Sequence, residues 1–405
     1  MNRRHILILA CIYLFAVGIA GSVLGPAVDD LAEHTKSSLS ELAALSTATA
    51  LGGLAATLIM GPQVDRFGPR RVLLIAAAIY LPAVICVMGS PYLYPLLAFA
   101  LVMGFGSGTM DLTSNVMVAE VYTGANVSVL NLLHVFFGIG SVVGPALASL
   151  SLRLFDNAIP SMLVAWVVIL AAVPLAWRMK TGPLFHPAET EPETADQPET
   201  VVNSETTLSF YRAPLLWALG LLMLLYVGVE IAIGFWNTAY LERSTSLTEE
   251  TTALVTSAYW LALTFGRVAG VIWGDRFARQ TVLWASLSGS LVGGVLMAIG
   301  TGSIALSIAG VVVAGFCFGP VFPTIISITT DVFRHAPGRA TSLVVAMGSL
   351  GGSTLPWVQG QLLDNISHAS SVIFDAVGIL AMILVYAAIR ATRTRRTELE
   401  TPHGA

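Results

Sequence analysis

Charge is what this chain has little of: 11% of its 405 residues are Asp, Glu, Lys or Arg, against about a quarter in a soluble domain, while 55% are apolar. That balance excludes a soluble globular domain and reads as a membrane protein. Lysine occurs only at Lys36 and Lys180, and neither follows a glycine-rich loop. A P-loop needs that lysine on the nucleotide phosphates, so direct ATP coupling within this chain is excluded. Cys11, Cys86 and Cys317 all sit in apolar runs and read as small core residues, not as ligands or disulfide partners. No His/Cys cluster has metal-ligand spacing, and no nucleophile–base pair stands out. No cofactor, metal or nucleic-acid partner is therefore expected, and an enzyme is the least favoured class.

Long apolar runs are what the chain has instead. Windows of about 20 residues, enough to cross a bilayer, give twelve spans at 5–28, 42–62, 71–90, 93–121, 125–152, 160–178, 211–240, 252–275, 281–300, 303–331, 338–363 and 369–391. The run from Met1 to Pro26 starts basic but is too long for a signal-peptide core, so it reads as a retained first span. Arginines cluster on the side that holds both termini. The opposite loops carry only Lys36, Arg153 and Arg243, and Arg267 is left within a span. By the positive-inside rule both termini face the cytoplasm.

Between the sixth and seventh spans, PAETEPETADQPETVVNSETT cannot pack a core and reads as a solvated linker. The expected division is a six-helix bundle over 1–178, a cytoplasmic acidic linker over 179–210, a second six-helix bundle over 211–391 and a cytoplasmic tail over 392–405. The halves match at an offset of about 210 residues. GFGSG at 104–108 falls on GFCFG at 315–319, and Asp65-Arg66-Phe67 falls on Asp275-Arg276-Phe277. Gly18 falls on Gly228 and Gly140 on Gly351. The fold class that follows is an all-α membrane protein of two pseudo-symmetric six-helix bundles, with its site at the repeat interface near the membrane midplane.

The run from Gly61 to Arg71, GPQVDRFGPRR, resembles the signature between helices two and three of the major facilitator superfamily; its second copy is degenerate. Asp111-Leu-Thr-Ser-Asn115 with Leu130-Asn131-Leu-Leu-His134, Tyr226-Val-Gly-Val-Glu230, and Gly319-Pro-Val-Phe-Pro323 are similar to the fucose permease family and its sodium-dependent glucose transporter relatives. The resemblance implies carriage of a monosaccharide, usually inward with an ion. One feature departs from the pattern. Fucose permeases carry an acidic residue inside helix one, whereas 12–28 here holds none, the nearest being Asp29 and Asp30. The fucose permease mechanism therefore does not transfer whole.

Polar groups inside the spans are the candidate site. A charge at a helix centre costs about 2.5–3.5 kcal/mol even on insertion scales, so it faces a bundle interior or a wet cavity. Asp111 is the first candidate for proton coupling and also for substrate binding, with Asn115 on its face; its alternative is a helix-packing polar group, and the amides Asn115, Asn131 and Asn237 are candidates for binding substrate hydroxyls. Asn131 and His134 share a face of the next span, and His134 suits a hydrogen bond to substrate or a proton relay. Glu230 and Asn237 share a face of span seven, where Glu230 binds substrate or a coupling ion unless it is tied up in an ion pair. Trp236, Trp260 and Trp357 are candidates for stacking on a pyranose, and Gln359 for a polar contact. Asp65, Arg66, Arg70, Arg71, Glu120, Asp275, Arg276 and Asp331 are expected to gate, through ion pairs at the cytoplasmic end.

The expected protein is a monomer-competent, multi-pass secondary transporter of the cell (inner) membrane, working by alternating access. It moves a small polar solute, a hexose by the resemblance, in symport with a proton, and sodium could serve as well. An exporter of drugs or metabolites with the same fold is the first alternative, and a non-transporting membrane sensor the second.

Overall fold

The computed structural model describes residues 3–121, 126–179, 212–273, 276–333 and 337–400. The expected linker, apart from Met179 at its first position, lies outside the described residues, as do the side chains of Asp65, Glu120, Asn131 and Asp275. Among the described residues every regular element is helical. In the first half these are α1 (Arg3–Val23), α2 (Val28–Thr35), α3 (Leu39–Leu42), α4 (Ala44–Phe67), α5 (Pro69–Gly89), α6 (Leu93–Val121), α7 (Asn126–Phe155) and α8 (Met162–Trp177). The second half has α9 (Pro214–Ser244), α10 (Glu249–Trp273), α11 (Arg279–Ile299), α12 (Ile304–Phe318), α13 (Val321–Val332), α14 (Pro337–Asn365) and α15 (His368–Glu400).

In hydrocarbon each backbone amide must find its partner within the segment, so apolar runs rich in Leu, Ala and Ile become helices. The ends follow local chemistry. Gly68 takes φ 79°, a conformation open to glycine, and Pro69 starts the next helix at its first position, which explains the Gly-Pro in the loop motif. Ser38 and Glu41 cap α3 reciprocally.

Among the described residues ten segments are long and apolar enough to cross a membrane, including Leu39–Val64, which joins α3 to α4, and Ile304–Val332, which joins α12 to α13. The expected spans eight and eleven, formed by α10 and α14, are not among the ten. They are 25 and 29 residues long but carry Thr252, Thr256, Ser257 and Arg267, or Ser353, Thr354, Gln359 and Gln361. Their packing accounts for this: α10 lies against α7 and α14 against α3 and α4, so each faces the opposite half of the protein, where polar groups find partners. With these two, the passes number twelve. The tenth is broken at Gly319-Pro320, and the last continues as helix to Glu400, past its expected end at 391.

The sequence repeat reappears as repeated packing. A Cβ on Gly18 would lie 2.2 Å from the Phe137 carbonyl oxygen, and one on Gly140 would lie 2.1 Å from that of Phe15. These two glycines let α1 and α7 touch backbone to backbone. Their counterparts do the same for α9 and α14: a Cβ on Gly351 would stand 1.9 Å from the Leu224 carbonyl oxygen, and one on Gly228 would stand 3.0 Å from that of Gly351. Small residues at crossings allow such approach in a membrane, where close packing replaces the hydrophobic drive.

At the end where α1 meets α2 the halves are tied together. Arg243 pairs with Asp29 at 2.5 Å, the Ser40 amide donates to Asp364 at 2.9 Å, and Gln361 donates to the Ser40 carbonyl at 2.5 Å. Deeper in, Thr47 donates to the Ser353 carbonyl at 2.6 Å. At the opposite end the described pairs stay within one half: Arg279 with Asp331, and Arg70 over the Trp177 ring.

Candidate substrate and coupling site

The i, i+4 spacing on α6 works as expected. Asn115 donates from Nδ2 to the Asp111 backbone carbonyl at 3.0 Å and to its Oδ1 at 3.1 Å. Asp111 is half-buried. Among the described residues no cation pairs with it, and no hydrogen bond joins it to His134.

Glu230 has different company. It is 7% exposed, and its Oε1 receives a hydrogen bond from Nη2 of Arg267, on α10, at 3.0 Å. The Tyr226 hydroxyl interacts with the same carboxylate and donates to the Phe318 carbonyl at 3.2 Å. The Tyr259 hydroxyl donates to the Glu230 carbonyl at 2.9 Å. Here the ion-pair alternative to a free carboxylate is what the structure contains. Arg267 is one-third exposed at its side chain and interacts electrostatically with His134, an exposed residue of α7. α7, which carries His134, packs against α10, which carries Arg267, so His134 of the first half lies within electrostatic reach of the Glu230–Arg267 pair of the second. Ser257 also bridges that interface, donating to the Val142 carbonyl at 2.6 Å.

The aromatic candidates separate. Trp260 lies against Gly234, where a Cβ would come within 2.4 Å of the indole ring; its Nε1 is buried without a partner. Trp236 is fully buried and donates to the Pro356 carbonyl at 2.7 Å, while Trp357 is 45% exposed on α14. Asn237 donates to Thr256 at 3.0 Å and leaves its Oδ1 unpartnered. Gln359 is buried and donates to Asp375 at 2.7 Å. Among the gating candidates, Arg66, Arg71, Arg276 and Asp331 are exposed and Arg70 is half-buried; Asp331 pairs with Arg279 of its own half. An apolar groove of about 370 Å³ runs between α1 and α7, lined by Leu7, Ile8, Cys11, Ile12, Phe15, Leu132, Phe136 and Ile139. It contains none of the polar groups, and we place the chemistry elsewhere.

Sequence reasoning missed three features: Arg267 as the partner of Glu230, the buried Asp375, and Arg243 with Asp29. The first had a signal. An arginine inside a span needs an acid, and span seven supplied one.

A helical bundle of two packed repeats, with polar groups meeting between the halves, has the architecture of a carrier. The sequence matches the Major Facilitator Superfamily over residues 10–240 and 218–405, and the chain belongs to it. It is a multi-pass membrane transporter, not an enzyme. Among curated relatives it is 22% identical over 386 residues to the Saccharomyces cerevisiae "Bypass of stop codon protein 6", covering 89% of this chain and 77% of that one. A "Putative glucose/galactose transporter" of Helicobacter pylori is 25% identical, covering 70% of each chain. The "Sodium-dependent glucose transporter 1A" of Mus musculus is 22% identical, covering 89% and 90%. The resemblance read from the motifs is thus matched along most of the chain. Among solved structures, the nucleoside transporter NupG superposes with a TM-score of 0.77 at 13% identity, over 95% of this chain and 99% of that one. The inward-open xylose transporter XylE of E. coli gives 0.77 at 14%, over 95% and 96%. At these identities the likeness is one of fold.

Proposed function

We propose that this transporter imports a hexose together with a proton across the cell membrane by alternating access, as a monomer with both termini in the cytoplasm. On that orientation the end tied by Arg243 and Asp29 faces outside, so the described state is closed to the exterior. The observation that carries the reading is the buried Glu230–Arg267 pair on the side of α10 that packs against α7, the helix of His134, between the halves. It offers hydroxyl-binding donors and acceptors where a midplane substrate sits, and Trp260 nearby offers a face for a sugar ring. The relatives named as glucose transporters support the same substrate class.

The two carboxylates divide the work. Glu230 is fixed in place by its pair with Arg267 and serves as an acceptor for substrate hydroxyls. Asp111 has an amide partner and no cation, so it is free to take up and lose a proton as access alternates. At a potential of about 100 mV one charge contributes ~2.3 kcal/mol, roughly a fifty-fold concentration ratio.

The test is uptake of radiolabelled hexoses into proteoliposomes, with an inward proton gradient, with an inward sodium gradient, and with neither. Gradient-driven accumulation of one hexose is expected. Asp111→Asn should abolish accumulation and keep counterflow exchange. No hexose uptake under any condition overturns the substrate assignment, and undiminished accumulation by Asp111→Asn overturns the coupling role.

A further inference from the structure

A second buried acid lies in the last span. Asp375 on α15 is 0% exposed and accepts a 2.7 Å hydrogen bond at Oδ2 from Nε2 of Gln359 on α14, itself 2% exposed. The other oxygen of each group, Oδ1 of Asp375 and Oε1 of Gln359, is buried without a partner. Two acceptors left over on two planar groups already joined by one hydrogen bond lack the same thing, a proton between them. A carboxylic acid supplies it. Oδ1–H donating to Oε1 closes a cyclic acid–amide pair with two hydrogen bonds and no unsatisfied oxygen.

The surroundings favour that neutral form. α15 packs against α9, α11 and α14. On α9, Glu230 is taken by Arg267, Arg243 by Asp29, and Tyr240 donates to the Met297 carbonyl; Tyr226 is taken by Phe318 and Glu230, and Glu242 lies beside Arg243. The charged residue described on α11 is Arg279, which pairs with Asp331, and Asp364 on α14 accepts from Ser40. Tyr259 of α10 reaches Asp375 only electrostatically, its hydroxyl being spent on the Glu230 carbonyl. No cation faces Asp375 among these groups, and a buried carboxylate without one is driven to neutralise.

We infer that Asp375 holds a proton in this state and that the Asp375–Gln359 pair is a proton-binding site of the second half, separate from Asp111. The site is linked to the closed end. Gln359 shares α14 with Ser353, Gln361 and Asp364, whose bonds to Ser40 on α3 and Thr47 on α4 hold that end shut. Swinging α14 away to open it pulls the amide from the acid, exposes the carboxyl and lets the proton leave. Closure and protonation therefore favour each other. Only this coupling role rests on the function proposed above; the protonation does not.

The test needs no substrate. Infrared absorption of the full-length protein in lipid nanodiscs should show a carboxylic-acid C=O band that survives at neutral and mildly alkaline pH. Asp375→Asn should remove it and Asp111→Asn should leave it. Asn can form the same two hydrogen bonds with Gln359, so Asp375→Asn should melt within about 2 °C of the parent, with Asp375→Ala several degrees lower. An unchanged spectrum in Asp375→Asn overturns the inference. So does loss of the band when sodium replaces choline, which would make this a cation site, or an Asp375→Asn protein as unstable as Asp375→Ala.

Discussion

Breaking the Glu230–Arg267 pair from one side should cost more than removing both partners. Arg267→Met leaves Glu230, 7% exposed, with the Tyr226 hydroxyl and no cation. Removing one partner of a fully buried pair costs about 3–5 kcal/mol. The Arg267 side chain is 33% exposed, so water already screens part of the attraction, and about 2–3 kcal/mol is the discounted figure. Glu230→Gln leaves a cation that water can reach, and about 1 kcal/mol is expected. The double variant replaces the pair with neutral groups and should be more stable than Arg267→Met alone. At roughly 2 °C per kcal/mol for a chain of this size, Arg267→Met should lower the melting temperature in detergent by about 4–6 °C, and Glu230→Gln should restore half or more of it. A shift below about 1 °C for Arg267→Met, or a double variant no more stable than Arg267→Met, refutes a buried, mutually dependent pair.

Gly140→Ala and Gly351→Ala each push a methyl into a carbonyl oxygen of the facing helix, at 2.1 and 1.9 Å, and should each cost about 1–3 kcal/mol in thermal stability. Gly21→Ala, whose Cβ meets nothing within 4 Å, should be neutral, and equal losses in all three would show that the crossings are not close contacts. Asp30 lies on α2, outside the spans, and accepts from the Ala158 amide at 2.5 Å. Burial raises its carboxyl above the ordinary value, the Ala158 amide opposes this, and Asp29, Glu33 and Asp156 add to the rise. The folded chain thus holds this proton more tightly than the unfolded chain does. Its stabilisation is complete below the ordinary carboxylate value and is lost as pH rises through the raised one. Asp30→Asn should flatten that part of the melting temperature–pH curve, and an unchanged slope would remove Asp30 as its cause.

The sequence made the frame legible because a bilayer allows few solutions. Apolar runs near 20 residues marked the passes, and the offset of about 210 residues anticipated that Gly18–Gly140 and Gly228–Gly351 hold equivalent crossings. Asp111 and Asn115 were legible for a local reason, since helical spacing alone brings them together. What escaped was pairing between helices. Arg267 lies 37 residues from Glu230 and Gln359 lies 16 from Asp375, and no periodicity within one helix encodes which faces of two helices meet.

Helices α10 and α14 show how polarity and mechanism are connected. A pass that faces lipid on most sides cannot hold Gln, Ser, Thr and Arg cheaply, whereas one that faces the other half of a carrier can. On the proposed mechanism, each such polar contact is made to a surface from which the helix must part when access alternates. Ser257 with Val142, Thr47 with Ser353 and Gln361 with Ser40 are single neutral hydrogen bonds across the halves. Singly they contribute about 1 kcal/mol, enough together to hold a state and few enough to release it. The crossings of Gly18 with Gly140 and of Gly228 with Gly351 lie inside each half, while Gly25 against the Phe235 carbonyl and Gly360 against Ala43 are close contacts between the halves. The hydrogen bonds that have to be released thus lie along the boundary between the repeats, and α10 and α14, the two long helices outside the ten apolar segments, take part in them.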